Sequence, residues 1–458
     1  MNLRHSSIRK YRDDKRTKSL DRSGSLNLLL AIALLWVGAA TVSGQTLGVD
    51  ELIRTALEKN KGLQADQAQL KAAEGRLKQA GLKANPMLEA SATSGVNDRG
   101  MQAGSVMLSV PLEANGRRQR RLEVAERELE RLKHEVKDKE RMIAGDVRAK
   151  YADLIEAVRT SEIYKRLLEN NRHSLQILKV RVEQGASAAL ELGQLDAEIL
   201  KIDAQKAANE ARIQVLIEQL REAIGIEVAG TASGSPERIS LSDLKDEFEI
   251  TTPFPGKQEA ISMAIRQRED LAAALAGEAL ADSIIAQAKT EGRYDLSVFT
   301  ELGFQRLAFD PLGTSRESSA LEPIGMRTAM VRGGVSITLP TRNKNQGNIE
   351  AAQALREEAR LRRQFVETMI RRQVAAAWER ANGAHAVLAT INGRLMEAAE
   401  SNLNIVRRSF ELGYVRMAEV LAEQRRSLEV QMSRVAALKE SFAARMELDT
   451  QAGIAVRK

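Results

Sequence analysis

Residues 51–56 read Glu-Leu-Ile-Arg-Thr-Ala, and residues 259–264 read Glu-Ala-Ile-Ser-Met-Ala. Leu63 and Leu271 continue the match at the same offset of 208. Ser109-Val110-Pro111 recurs as Thr338-Leu339-Pro340 at an offset of 229, and Val182-Glu183-Gln184-Gly185 as Phe410-Glu411-Leu412-Gly413 at 228. A chain that repeats itself in this order holds two copies of one structural unit. The offset grows by about 21 residues between 96–104 and 305–330, and an insertion there predicts a surface loop.

Outward from these anchors, each half has the same order. A helix (50–83 and 258–290) precedes two short alternating segments. A helix of about 65 residues follows (117–183 and 347–411), then a glycine-marked break and a last helix (190–224 and 416–452). A helix of that length is about 100 Å long at 1.5 Å per residue and must pack lengthwise. Leu192, Leu195, Ile199 and Ile202, then Ile213, Leu216 and Leu220, carry the apolar rhythm, which Lys206 and Asn209 interrupt. Leu421, Leu428, Val435 and Phe442 recur every seventh residue. Segment 226–256, with Gly230, Gly234, Pro236, Pro253 and Pro255, reads as a connector with little regular structure.

The composition agrees with long helices. The 458 residues are 3% aromatic and 29% charged, and none of the eight prolines lies in 112–235 or 341–458. Cysteine is absent, which excludes disulfides, thiolate metal sites, a cysteine nucleophile and a lipid anchor on cysteine.

Residues 1–27 are basic, 28–40 (LLLAIALLWVGAA) are apolar, and Val42-Ser43-Gly44 offers a small-residue site before Gln45. This is the plan of a secretory signal peptide, and thirteen apolar residues are too few for an anchor, which needs about 20. The expected division is a signal peptide over 1–44, a first repeat over 45–225, a connector over 226–256 and a second repeat over 257–458. The leader holds eight of the 69 Lys/Arg and three of the 62 Asp/Glu, which leaves 61 and 59, a net charge of +2 rather than +7. A nucleic-acid partner therefore has no support in the charge. No stretch besides the leader reaches about 18 apolar residues, so no helical membrane span is expected.

The alternating segments lie at 87–94, 105–112, 294–304 and 331–340. Leu88, Ala90 and Ala92 share one face of the first, and Val106, Leu108, Val110 and Leu112 one face of the second. Tyr294, Leu296, Val298, Leu302 and Phe304 share a face of the third, and Val331, Val335, Ile337 and Leu339 of the fourth. Period two over such lengths is a strand signal, and about 9–11 residues span a bilayer when tilted. Amphipathic strands of a soluble sheet are the plain alternative. A membrane sheet has no open edge, and known barrels start at about eight strands, so two, three or four copies would contribute about 8, 12 or 16 strands.

The chain resembles the TolC-like outer-membrane efflux proteins over about 50–452. The resemblance rests on the duplicated order, on Arg268-Glu269-Asp270-Leu271, and on Leu339-Pro-Thr-Arg-Asn-Lys-Asn-Gln-Gly-Asn-Ile349. It rests also on the two glycine breaks followed by Leu190-Glu191-Leu192 and Glu419-Val420-Leu421. The turns Asn115-Gly116-Arg117-Arg118 and Arg342-Asn343-Lys344-Asn345 look most like the heavy-metal cation efflux (CzcC-like) branch. The family implies a mainly α fold with four membrane strands, in which a homotrimer forms a β-barrel continued by a long periplasmic helical barrel. The implied function is the exit duct of a tripartite efflux system in the outer membrane of a Gram-negative bacterium. Its implied partners are outer-membrane lipid, a periplasmic adaptor and an inner-membrane pump of the RND type. A protein-secretion duct and a secreted coiled-coil protein without a pore are the competing readings.

The resemblance implies that Glu191 and Glu419 line the tunnel tip as gate residues. Solvated acids in a first helical turn are the plainer reading. Where the family often adds an aspartate three residues on, this chain has Gln194 and Ala422. Gln184, Gly185, Leu412, Gly413 and Tyr414 mark hairpin tips, where the family implies adaptor docking. Leu108, Val298 and Ile337 are the expected lipid-facing strand positions. Arg117, Arg118, Arg120 and Arg121 oppose their own helix dipole, which suggests contact with lipid phosphates or a solvated turn. The four histidines (His5, His134, His173, His385) form no spaced metal pair, and no catalytic cluster, cofactor motif or phosphate loop is present.

Overall fold

The computed structural model describes residues 48–95, 101–226, 248, 255–314 and 321–454. Residues 1–44, expected as a signal peptide, and nearly all of the expected connector over 226–256 lie outside them. The first repeat comprises α1 (Val49–Lys59), α2 (Lys61–Ala80), β1 (Met87–Ser94), β2 (Gln102–Leu112), α3 (Arg117–Glu183) and α4 (Ala189–Ile224). The second comprises α5 (Lys257–Gln267), α6 (Glu269–Glu291), β3 (Asp295–Thr314), β4 (Leu321–Thr338), α7 (Gln346–Thr390), α8 (Met396–Glu411) and α9 (Met417–Gln451).

Three expectations need correction. The first helix of each half is two helices, broken at Asn60 and Arg268, which stand 208 residues apart. Both are extended, at φ −62°, ψ 115° and φ −73°, ψ 125°. Asn60 accepts from the Leu63 amide at 3.1 Å and donates to Ala223 O at 3.2 Å. Arg268, buried, donates to Asp270 at 2.6 and 3.0 Å, to Gln373 at 2.9 Å and to Gln451 at 2.8 Å. Each break is therefore held by side-chain bonds that a continuous helix would not need.

The second correction concerns 347–411, which is not one helix. A π-helical turn over Ile391–Leu395, with Gly393 at φ −80°, ψ −131°, separates α7 from α8. Its counterpart α3 runs unbroken for 67 residues, about 100 Å at the rise of an α-helix. The third concerns the insertion, most of which is strand rather than loop. β3 and β4 have 20 and 18 residues, and their pairing continues to Thr314↔Leu321.

The helices pack lengthwise around three buried clusters. One joins α1, α3 and α4 to α9 through Leu52, Ile53, Tyr151, Leu154, Leu220 and Phe442. Another joins α5, α6 and α7 to the same α9 through Ala260, Leu271, Ile370, Val374 and Leu448. The third, towards the far ends of the long helices, sets Leu178, Leu195 and Ile202 against Phe410, Met417 and Val420. The expected apolar rhythm is buried at Leu195, Ile199, Ile202, Ile213, Leu216 and Leu220. Where it is interrupted, Asn209 is buried and donates to Ala157 O at 2.8 Å, so the polar group is satisfied. From the connector, Phe248 lies against Phe442, with ring centroids 5.3 Å apart.

One described helix, α6, is long and apolar enough to cross a membrane by length and composition only. It packs along α3 and α7 instead, and its Glu278 and Asp282 pair with Arg363 and Arg356 of α7 at 2.6 and 3.1 Å.

The four strands form one antiparallel sheet in the order β1-β2-β3-β4. The β2–β3 pairing joins the two repeats, with Leu112 opposite Leu296, Val110 opposite Val298 and Val106 opposite Leu302. β1 and β4 are left as the edges.

Candidate functional site: strand face, junction and tips

Opposed residues of an antiparallel pair share a face, so register decides whether the four apolar sets meet. They do. Leu88 faces Leu108, Val110 faces Val298, Val298 faces Val335, and Leu296 faces Ile337. Leu108, Val298 and Ile337 are 46%, 40% and 54% exposed, on an apolar face that no described residue covers. The other face is more polar. Ser91 and Ser105 meet at 3.0 Å, Glu301 pairs with Arg332 at 3.1 Å, and Ser297 lies opposite Ser336.

The junction between sheet and helices is held by the arginines after β2. Arg117 pairs with Asp295 and donates to the carbonyls of Glu291 (3.0 Å) and Arg293 (2.7 Å). Arg118 donates to Gly81 O at 2.6 Å. Arg121 reaches Ala80 O and Leu82 O at 3.1 and 3.0 Å, and Glu113 at 2.7 Å. These carbonyls end α2 and α6, where partners are lacking within the helix and the dipole is negative. The charges that oppose their own helix thus serve the ends of two neighbours, a third role that the sequence did not suggest. Arg120 pairs with Glu123 at 2.8 Å. Asn115 and Asn345, both at φ 64°, donate to Tyr294 O (3.1 Å) and Ala288 O (2.9 Å). Gly292 sits so close to Lys344 that a Cβ there would run into its carbonyl oxygen.

At the far ends of the long helices the two tips have the same backbone. Gly185 and Gly413 lie at φ +73° and +84°. Ala186 N bonds Arg181 O at 2.8 Å and Gly185 N bonds Val182 O at 3.0 Å. Tyr414 N bonds Ser409 O at 2.8 Å and Gly413 N bonds Phe410 O at 2.9 Å. These are paired Schellman closures, which need the left-handed residue that glycine supplies. Leu412 and Tyr414 stand 65% and 81% exposed, and Gln184 is exposed beside Gly185.

Glu191 and Glu419 occupy the first turns of α4 and α9; the former is half-buried and the latter exposed. Neither forms an ion pair among the described residues. Sequence reasoning missed the charged and polar contacts deeper between the hairpins. Glu198 of α4 is bonded by Arg425 of α9 at 2.7 Å, and buried Gln424 donates to buried Asn171 at 2.8 Å. No sequence signal marks Glu198, which sits beside Ile199 without disturbing the apolar spacing.

Residues 52–226 match the family model of the outer membrane efflux protein. The matched segment runs from α1 to the end of α4. No curated protein sequence matches the chain. Among solved structures, the Vibrio cholerae outer membrane protein VceC has a TM-score of 0.68 at 19% identity, covering 88% of this chain and 96% of that one. The open state of the Neisseria gonorrhoeae outer membrane channel MtrE gives 0.68 at 16%, covering 91% and 93%. The Campylobacter jejuni outer membrane channel CmeC gives 0.67 at 14%, covering 88% and 85%. Over about nine-tenths of its length the chain therefore shares the fold of these solved structures.

Proposed function

We propose that the chain is the outer-membrane exit duct of a tripartite efflux system and works as a passive homotrimeric channel. The observation that carries this is the sheet: four strands, and, among the described residues, one uncovered apolar face and two edges without a partner. Such a sheet is stable in lipid only when other copies close it, and three copies give about 12 strands. Leu108, Val298 and Ile337 then face lipid. A coiled-coil protein without a pore has no use for this face.

The tips at Gln184-Gly185 and Leu412-Gly413-Tyr414 receive a periplasmic adaptor, which links the duct to an inner-membrane pump of the RND type. Glu191 and Glu419 line the tunnel tip, and six carboxylates in the trimer favour cations. The asparagine- and arginine-rich turns support the heavy-metal cation branch, with metal cations as cargo. Residues 1–44 are the signal peptide, so the mature protein begins near Gln45.

The test is fractionation followed by bilayer recording. The protein should be found in outer membranes, leave them in detergent with the mass of three chains, and open ion-conducting pores in planar bilayers. A soluble periplasmic protein, or one without conductance, would overturn the proposal.

A further inference from the structure

Arg181 stands in the last turn of α3, and its backbone closes the first tip: its carbonyl accepts the Ala186 N–H at 2.8 Å. Its side chain leaves the first repeat altogether. Nη1 donates to Phe410 O at 2.7 Å and Nη2 to Glu411 O at 2.6 Å. The guanidinium lies over the Phe410 ring, 4.8 Å from its centroid. Phe410 O is the same atom that accepts the Gly413 N–H closing the second tip. One residue thus belongs to both closures.

The chemistry suits arginine in particular. The last carbonyls of α8 lack partners within the helix and carry the negative end of its dipole. A planar fork meets two adjacent carbonyls at once and stacks on an aromatic ring, which an ammonium group cannot do in the same way. Phe410 is buried in the third cluster together with Leu178 and Leu195, so the ring that receives the stack is itself fixed. The matching place in the second repeat is Ser409, whose side chain is too short to return the contact.

We infer that Arg181 is the positioning residue that locks the two tips into a single composite surface, with fixed spacing and rotation between Gln184-Gly185 and Leu412-Gly413-Tyr414. This rests on the proposed docking role of the tips. It implies that a partner recognises both repeats at once rather than either tip alone.

The absence of native cysteine makes the test clean. Gln184→Cys and Leu412→Cys would be spin-labelled in the purified full chain, with labelled copies diluted by unlabelled ones, and the distance distribution measured by pulsed electron resonance. A single narrow distance is expected with Arg181 present. Arg181→Met should at least double the width of the distribution while the thermal unfolding midpoint stays within a few degrees. Arg181→Lys should recover part of the narrowing, and Phe410→Leu should broaden it less than Arg181→Met. An unchanged width in Arg181→Met overturns the inference, and so does broadening that comes only with global unfolding. No adaptor is present in this measurement, so its result stands apart from whether the tips dock one.

Discussion

Glu198 of the first repeat and Arg425 of the second lie 2.7 Å apart, with side chains 9% and 58% exposed. The pair therefore joins a buried carboxylate to a guanidinium that reaches in from solvent, across the α4–α9 contact. Burial pushes the Glu198 carboxyl up. The hydrogen bond and charge of Arg425, with those of Lys201, outweigh it and hold the group below its ordinary value.

A carboxylate whose pKa falls on folding stabilises the fold at pH values above its unfolded pKa. That contribution is lost as pH falls through the folded value. Denaturant titrations from neutral pH into acid should show wild type losing stability that Glu198→Gln does not lose over the same window. Parallel acid slopes for the two proteins would show that the pair does not stabilise the fold. Arg425→Met should cost on the order of 1–3 kcal/mol by leaving a buried acceptor short of its partner.

The strand faces give a paired comparison. Arginine at Leu108, Val298 or Ile337 would set a charge against lipid, at a cost of about 2–4 kcal/mol near a barrel's midplane. Arginine at Ser109, Ser297 or Ser336, on the opposite face, should be far milder. The readout is the yield of heat-resistant oligomer on gels. Equal loss on both faces would mean that the apolar face does not meet lipid.

At the junction, Arg121→Met removes the donor from Ala80 O, Leu82 O and Glu113, whose Oε2 has no hydrogen-bond partner. A loss of about 1–3 kcal/mol is expected, measured by chemical unfolding, with part of it recovered by adding Glu113→Gln. Gly292→Ala should be at least as damaging, because the new Cβ would overlap the Lys344 carbonyl.

If Glu191 and Glu419 converge on the trimer axis, Gln at both should alter single-channel conductance and weaken block by divalent cations. Arginine at both should turn the ion preference towards anions. Recordings indistinguishable from wild type would return these two acids to the solvated surface.

The sequence alone determined the duplication, the four strands, the unbroken helix α3 and both tips, because each is written in short-range periodicity. Apolar residues at alternate positions in 87–94 and 105–112, and at steps of three and four around Leu195 and Ile202, state the element and its apolar face. Gly185 and Gly413 state where a helix must stop, since a left-handed residue closes it. Tertiary structure decided what depends on neighbours distant in sequence. The breaks at Asn60 and Arg268 exist because Ala223, Gln373 and Gln451 supply their partners. The inserted residues became strand because a pairing partner was available. Arg117, Arg118 and Arg121 looked misplaced at a helix N-terminus until the fold set the ends of α2 and α6 beside them. The Arg181 bridge has no local pattern at all, because its acceptors are carbonyls, and every residue has one.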